Sequence, residues 1–390
     1  MSTQNFEGKE MITNLIDSYL VRAVEAGASD IHIEPEKDFV RFRFRIDGLL
    51  KEIAKEPLHL LPALIARTKI LAQLNITETR TPQDGRFQIR IKDQNLDLRV
   101  SIFPTLYGEC AVLRILNINS ILVDLESLGM NLTQFKEFEA IIKKPNGLIL
   151  VIGPTGSGKT TTLYSILNNL NTVEKSILTL EDPIEYHLPL IRQTQITRDL
   201  TFIKGLHCLL RQDPDIIMVG EIRDLETAEI VIHAAMTGHL VLSTLHTNDA
   251  ASALVRLADM KVEPFLISSS VLAIIAQRLI RKICPNCVEE YKPSKEIIET
   301  LELENQKGII FKKGRKCSAC NFTGYKGRTG IFEILIVDDE IRSLILSRAS
   351  VGEIQKKTKE KGAFSLRQHG IEKIIEGVTT PEEILRVTRK

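Results

Sequence analysis

The sequence predicts an α/β protein: a larger domain on a parallel sheet, a smaller α/β domain before it, a cysteine-bearing insert and a helical C-terminal region. Three observations predict this. The glycine-rich turn Gly153-Pro154-Thr155-Gly156-Ser157-Gly158-Lys159-Thr160 lies between the apolar run Leu148 to Ile152 and a helical stretch beginning at Thr161. Short apolar runs recur downstream, separated by helix-length segments, as in a parallel sheet between helices. Cys284, Cys287, Cys317 and Cys320 form two Cys-x-x-Cys pairs.

The chain has 390 residues, 43% hydrophobic and 26% charged, enough for two or three globular domains. The expected boundaries are 1–118 for the N-terminal domain, 119–130 for a linker, 131–283 for the nucleotide domain, 284–330 for the cysteine segment and 331–390 for the helical region. A net charge of +1 argues against a strongly basic nucleic-acid-binding surface as the main business. The longest apolar stretch, around Phe265 to Ala276, is broken by Ser268-Ser269-Ser270, too short to span a bilayer. Residues Met1 to Asn5 show no signal pattern, so a cytoplasmic protein is expected, reaching a membrane only through a partner.

Ile12, Leu15, Ile16, Tyr19, Leu20 and Val24 recur at helical spacing, and Gly27 ends that helix. Ser29 to Pro35 reads as a short strand. In Val40 to Ile46 arginines alternate with apolar residues, with Asp47-Gly48 as a hairpin turn. Such basic and aromatic alternation suits single-stranded nucleic acid. A strand with one face in the core needs the same alternation and is the preferred account. A helix is expected near Pro62 to Leu74, then strands near Phe87 and over Leu96 to Ile102. Arg86, Arg99 and Arg114 each sit beside strand-like segments. The pattern loosens from Asn117 to Met130, as in a linker, before a helix over Thr133 to Ile142.

The nucleotide-domain strands are expected at Gly147 to Ile152, Ser176 to Leu180, Ile216 to Val219 and Leu240 to Thr244, nearly all apolar because both faces are covered. Strand, glycine turn with Gly-Lys-Thr, then helix is the setting a phosphate-binding loop requires. Backbone N–H groups of Gly153 to Thr161 would cradle phosphates, Lys159 would reach the β- and γ-phosphates, and the Thr160 hydroxyl would hold Mg²⁺. Carboxylates follow where strands end: Glu181, Asp182 and Glu185 after one, Glu221 after another. Such groups hold the metal or orient the attacking water. His239 and His246 flank the last strand. Either is an ordinary core histidine or a γ-phosphate sensor, and two of them in a nucleotide domain favour the second.

Four stretches carry a resemblance: the glycine loop with Thr160-Thr161-Thr162, Glu181-Asp182-Pro183-Ile184-Glu185, Asp213 to Asp224, and Thr237-Gly238-His239 through His246-Thr247-Asn248. They resemble the Walker A, acidic, Walker B and histidine boxes of the type II secretion and type IV pilus-assembly ATPases. Ala28 to Pro35, Pro82 to Arg86 and Glu376 to Glu383 are also similar to that family. The resemblance implies a RecA-like ATPase core with a PAS-like N-terminal domain, working as a homohexamer on ATP and Mg²⁺. It implies that Glu185 polarises the attacking water, Glu221 assists metal and water, and His246 approaches the γ-phosphate. Arg86 and Arg99, with Arg114 as a further candidate, would meet the phosphates when the N-terminal domain closes. The implied partners are inner-membrane platform and docking proteins, on the cytoplasmic face of a bacterial inner membrane, with no nucleic acid. The cysteine pairs match the tetracysteine insert of assembly-type members and their spacing suits structural Zn²⁺. This sets the chain apart from retraction ATPases, the alternative along with a nucleic-acid translocase. Cys110 and His207 stand where the family usually has arginines, and no counterpart is found of the extra N-terminal domain that docks many members.

Overall fold

The computed structural model describes residues 15–91, 94–117, 123–304 and 308–388. Ile12, the first five residues, the stretch 118–122 at the start of the expected linker, and Arg389 lie outside these. The chain forms two units, Met1–Ile121 and Leu122–Lys390.

In the first unit, helix α1 (15–25) buries Ile16, Tyr19, Leu20 and Ala23, an i, i+3, i+4, i+7 stripe. Gly27, at φ +66°, closes it in a conformation that glycine adopts without strain. Strands β1 (Ala28–Pro35), β2 (Phe39–Ile46) and β3 (Leu49–Pro57) precede helix α2 (Leu61–Leu71); β4 (Gln83–Ile91), β5 (Gln94–Thr105) and β6 (Gly108–Asn117) follow. They make one antiparallel sheet in the order β3-β2-β1-β6-β5-β4. Ile31, Ile33, Phe42, Phe44, Leu98, Val100 and Leu113 turn one face to the core with both helices. The arginines of β2 take the other face and are ion-paired: Arg41 and Arg43 with Glu34, Arg45 with Asp30. This agrees with a structural account of their alternation.

In the second unit, α3 (Leu132–Ile142) leads into β7 (Gly147–Ile152) and α4 (Lys159–Leu170). Then come β8 (Ile177–Glu181), β9 (Arg192–Gln195), α5 (Phe202–Leu209), β10 (Ile216–Val219), α6 (Leu225–Met236), β11 (Leu240–Leu245), α7 (Ala250–Asp259), α8 (Pro264–Ser270) and β12 (Val271–Ile283). A small ribbon, β13 (Val288–Tyr291) and β14 (Phe311–Gly314), with α9 (Lys295–Thr300) between, precedes β15 (Tyr325–Ile336). Helices α10 (Asp339–Leu346), α11 (Val351–Glu360), α12 (Leu366–Ile375) and α13 (Pro381–Thr388) end the described chain.

The main sheet runs β15-β12-β7-β11-β10-β8-β9, parallel except for β15. Every residue of β7, β8, β10 and β11 is buried, which explains their predominantly apolar runs. One core includes α3 and α4; on the other face, α5 to α8 share a core with α10 to α13. Helix starts are set locally: Asn131, Ser350 and Ser365 form capping boxes, and Asp224, Asp249 and Asp338 accept from the N3 amide. No helix among the described residues is long and apolar enough to cross a membrane.

Two features differ from the sequence-based expectations, and a third was left without an assigned element. The helix expected to Leu74 ends at Leu71. The described end of the expected linker is packed: Leu125 and Leu128 are buried in the core beside α4, and Gly129, at φ +109°, lies where a Cβ would sit 2.4 Å from Thr329 Oγ1. Two apolar residues in a short stretch leave no period to recognise. The apolar stretch at Phe265 to Ala276 divides into α8 and the start of β12, since apolar runs alone do not separate buried helix from buried strand. The cysteine segment thus interrupts an antiparallel pair, β12 and β15, which belong to the main sheet.

Candidate functional site

The glycine loop leaves the carboxyl end of β7 and enters α4. Gly153, Gly156 and Gly158 have φ of +149°, +78° and +93°. At Gly158 a Cβ would lie 2.7 Å from Gln277 Nε2, and at Gly153 2.5 Å from Ser157 Oγ. The loop is therefore glycine-rich for packing as well as for backbone reach. Lys159 Nζ donates to the Gly153 and Pro154 carbonyls at 2.8 and 3.1 Å. Burial pulls its pKa below the usual lysine range, opposed by Glu221. Thr160 is exposed on the first turn of α4, while Thr162 is buried and donates to Gln277 Oε1 at 2.7 Å. Ser157 Oγ is buried without a partner. Pro154, Thr155 and Gly156 form the exposed crest, and Thr161 lies half-buried behind Thr160.

The neighbouring strands bring their ends to the same edge. Gly220 N–H donates to Leu180 O at 2.8 Å, and Thr244 Oγ1 to Gly220 O at 2.8 Å, locking the turn after β10 between β8 and β11. That turn presents Glu221. Its Oε2 meets His246 Nε2 at 3.1 Å and its Oε1 accepts from Arg223. Burial opposes ionisation of Glu221, but Arg223 and His246 outweigh it and hold the carboxyl below its usual range. Arg223 also reaches Asp182, 3.5 Å away. Glu221 and His246 thus stand beside the loop, and the Glu221 charge acts on Lys159. His239 does not join them: it lies at the other end of β11, with Nδ1 2.9 Å from the Ala234 carbonyl at the end of α6. That is the ordinary structural role, imposed because the strand separates the two histidines.

Glu181 is 3% exposed and enclosed by donors, whereas Glu185, in the loop after β8, is half-buried. Two residues of β12 escaped sequence reasoning. Gln277 accepts from Thr162 on α4 and packs against Gly158 of the phosphate loop; Arg278 donates to Asn248 O at 2.8 Å, beside the histidine turn. Nothing in a predominantly apolar run marks them as site residues. Arg223 lies inside the Asp213 to Asp224 block, but sequence reasoning gave it no role of its own.

In the first unit, Arg86, Arg99 and Arg114 lie directly opposite one another on β4, β5 and β6. The row continues through Asp30 on β1 to Arg45 on β2. Arg114 Nε lies 2.9 Å and Arg45 Nε 3.3 Å from the buried Asp30 carboxylate. Like charges placed opposite on neighbouring strands oppose pairing, and Asp30 offsets this for Arg114 and Arg45. Cys110, on β6, is half-buried and its thiol is pushed up by burial; His207 is exposed in the last turn of α5.

Cys284, Cys287, Cys317 and Cys320 come together at the outer ends of β12 and β15. Their sulfurs lie within 4.8 Å of one another, with separations of 4.0 Å for Cys284–Cys317 and Cys287–Cys320 and 3.9 Å for Cys317–Cys320. A tetrahedron with Zn–S bonds near 2.3 Å has edges of about 3.8 Å, so the set fits that ion. Each pair folds as a tight turn, and Gly324 N–H donates to Cys320 Sγ at 3.2 Å.

A family model described as "Type II/IV secretion system protein" matches residues 5–386. The chain belongs to that family. It is 48% identical over 381 residues to the type II secretion system ATPase E of Vibrio cholerae, covering 97% of this chain and 76% of that protein. It is also 48% identical over 365 residues to the type IV pilus assembly ATPase PilB of Thermus thermophilus, covering 93% of this chain and 41% of PilB. Among solved structures it resembles the pilus retraction motor PilT with bound ADP, with a TM-score of 0.64 and 26% identity over 95% of this chain and 96% of that one. The Legionella pneumophila ATPase DotB shares the fold, with a TM-score of 0.70 at 22% identity over 96% of this chain and 95% of that one. This secretion-family chain is a P-loop ATPase of the secretion and pilus-assembly class, and the α/β fold expected from its sequence is the one found.

Proposed function

We propose that the chain hydrolyses ATP as a homohexameric motor of type II secretion or type IV pilus assembly, driving an inner-membrane platform protein from the cytoplasmic face. The observation that carries the catalytic part is that the Lys159 loop and the Glu221–His246 pair stand at the carboxyl ends of neighbouring strands, close enough for the Glu221 charge to act on Lys159. Support for the machine comes from relatives named for secretion and pilus assembly.

Backbone N–H groups from Gly153 to Thr161 bind the phosphate oxygens, and Lys159 exchanges its carbonyl partners for the β- and γ-phosphates. The exposed Thr160 hydroxyl, with help from Glu221, would hold Mg²⁺, which would supply charge neutralisation to the phosphates. Glu185 polarises a water, whose oxygen attacks the γ-phosphorus as the bond to the bridging oxygen breaks and ADP leaves. His246 hydrogen-bonds the departing phosphoryl group, its orientation set by Glu221. Arg86 and Arg99 supply positive charge to the transition state, a contribution of roughly 10³–10⁵ in rate for such arginines. The cysteine cluster takes Zn²⁺ as a closed four-thiolate site, with no open position for chemistry.

Phosphate release assays on the purified chain and on Lys159→Ala test this. Mg²⁺-dependent turnover lost in Lys159→Ala is the expected result; equal turnover in both removes the catalytic claim. DNA or RNA that raises turnover severalfold would instead favour a nucleic-acid translocase.

A further inference from the structure

Tyr164 stands on α4, the helix that begins with Lys159 and Thr160, and its side chain is fully buried. A buried tyrosine hydroxyl needs partners. This one donates to Glu181 Oε2 and accepts the Glu185 backbone N–H at 3.2 Å. Its ring meets Tyr186 edge-on, with centroids 4.4 Å apart. Burial and the Glu181 charge push the phenol pKa up, so the hydroxyl keeps its proton and remains a donor.

Glu181 was expected among the carboxylates that serve the nucleotide, but its oxygens are already committed. Besides Tyr164 it accepts from Thr179 Oγ1 at 2.5 Å and Gln193 Nε2 at 3.1 Å. A buried carboxylate is tolerated only when its lone pairs are filled in this way. Gln193, on the edge strand β9, also donates to Tyr186 O at 3.2 Å and accepts from Leu188 N–H at 2.8 Å. The loop after β8 is therefore held at three backbone points, Glu185 N, Tyr186 O and Leu188 N, by one buried polar hub.

We propose that Tyr164, backed by Glu181 and Gln193, is a positioning residue that fixes Glu185 in the frame of the helix carrying Lys159 and Thr160. The proposal rests on the role given to Glu185 above. The phosphate-binding residues and the carboxylate facing the attacking water come from different strands, β7 and β8. Those strands are not neighbours, since β11 and β10 lie between them. A direct tie from α4 to the loop shortens that path. Misplacing a reacting group by about 1 Å costs on the order of 10² in rate, so the tie matters to chemistry more than to binding.

The test uses the full chain. Tyr164→Phe keeps the ring and removes the hydroxyl. The expected result is a fall in kcat of about 10–100-fold with KM for ATP within about twofold. Adding Tyr164→Phe to Glu185→Gln should cause no further loss, because both act through one group. Turnover within about twofold of the parent, or a full additional loss in the double variant, overturns the proposal. Glu185→Gln with parental turnover would remove the reading of Glu185 and the proposal with it; an inactive Glu185→Gln beside a normal Tyr164→Phe removes only the positioning role. Amide hydrogen exchange on the unaltered protein covers the case in which Tyr164→Phe fails to fold. The Glu185 N–H should exchange at least about tenfold slower than an open amide, and exchange at the open rate overturns the tie.

Discussion

At Gly158 an added methyl group strains the phosphate loop. Its φ of +93° is one that L side chains rarely adopt, and a Cβ there would also lie 2.7 Å from Gln277 Nε2, which would have to shift. Gly158→Ala is expected to lower nucleotide affinity at least about tenfold, measured by titration with a fluorescent ADP, while the circular dichroism spectrum stays parental. Glu221 illustrates a second residue-scale point. Arg223 favours its ionised form, so removing Arg223 raises the carboxyl pKa. The acid limb of the kcat profile of Arg223→Ala is expected to move to higher pH; an unchanged limb would show that Glu221 ionisation does not limit turnover. Glu181 looks identical to Glu185 in sequence, yet its three donors make it a structural anchor.

At the scale of elements, β12 joins distant parts of the second unit. Gln277 touches the phosphate loop, Arg281 pairs with Glu383 on α13, and Cys284 follows its end. Glu383 is fully buried and accepts from Arg281 and Arg386 at 2.7 Å. Burial alone would raise its pKa, but the two arginines depress it to about 2. A carboxyl with a depressed folded pKa contributes stability that is complete above its unfolded value and lost as pH falls through the folded one. Here the window runs from about pH 4.5 down to about 2, worth about 3 kcal/mol, and Glu383→Gln is expected to flatten the unfolding free energy there. His369 on α12 acts in a different window. Its Nδ1 accepts the Phe332 N–H at 3.0 Å inside the core. Burial, reinforced by Lys373 and opposed by the Phe332 carbonyl 3.3 Å from Nδ1 and by Glu376, lowers its pKa to about 4. The unfolded chain therefore takes up a proton first, and stability falls between about pH 6.5 and 4. The two slopes can be told apart in one denaturation series across pH. The cysteine lobe is a separate element: Cys317→Ser is expected to abolish Zn²⁺ retention in native mass spectrometry, and a folded, metal-free parent would refute the site.

At the scale of the whole molecule, Arg86, Arg99, Arg114, Asp30 and Arg45 stand in one row across the sheet of the first unit, although the chain's net charge is only +1. Net charge averages over a whole surface and misses a local row. In the hexamer proposed above, Arg86→Ala and Arg99→Ala should each leave ATP binding intact and lower kcat by at least about 100-fold. Size-exclusion chromatography with light scattering, run alongside, should show that ring mass is retained. Parental turnover in both variants would reduce the first unit to a role other than catalysis.

The sequence by itself determined the class of fold, the phosphate loop, the carboxylates at strand ends, the histidine turn and the cysteine pairs. Each is a local pattern whose meaning depends on residues close in the chain: apolar runs that read as buried strands, glycines that must adopt positive φ, thiols at ligand spacing. Tertiary structure alone decided which of two histidines reaches Glu221, which of three nearby carboxylates is anchored, and that arginines far apart in sequence stand in one row. Those outcomes depend on register between strands, a pairing no single strand encodes. The strand β12 was hidden for the same reason: buried on both faces, it shows no alternation, and its two polar site residues acquire meaning only beside the loop they touch.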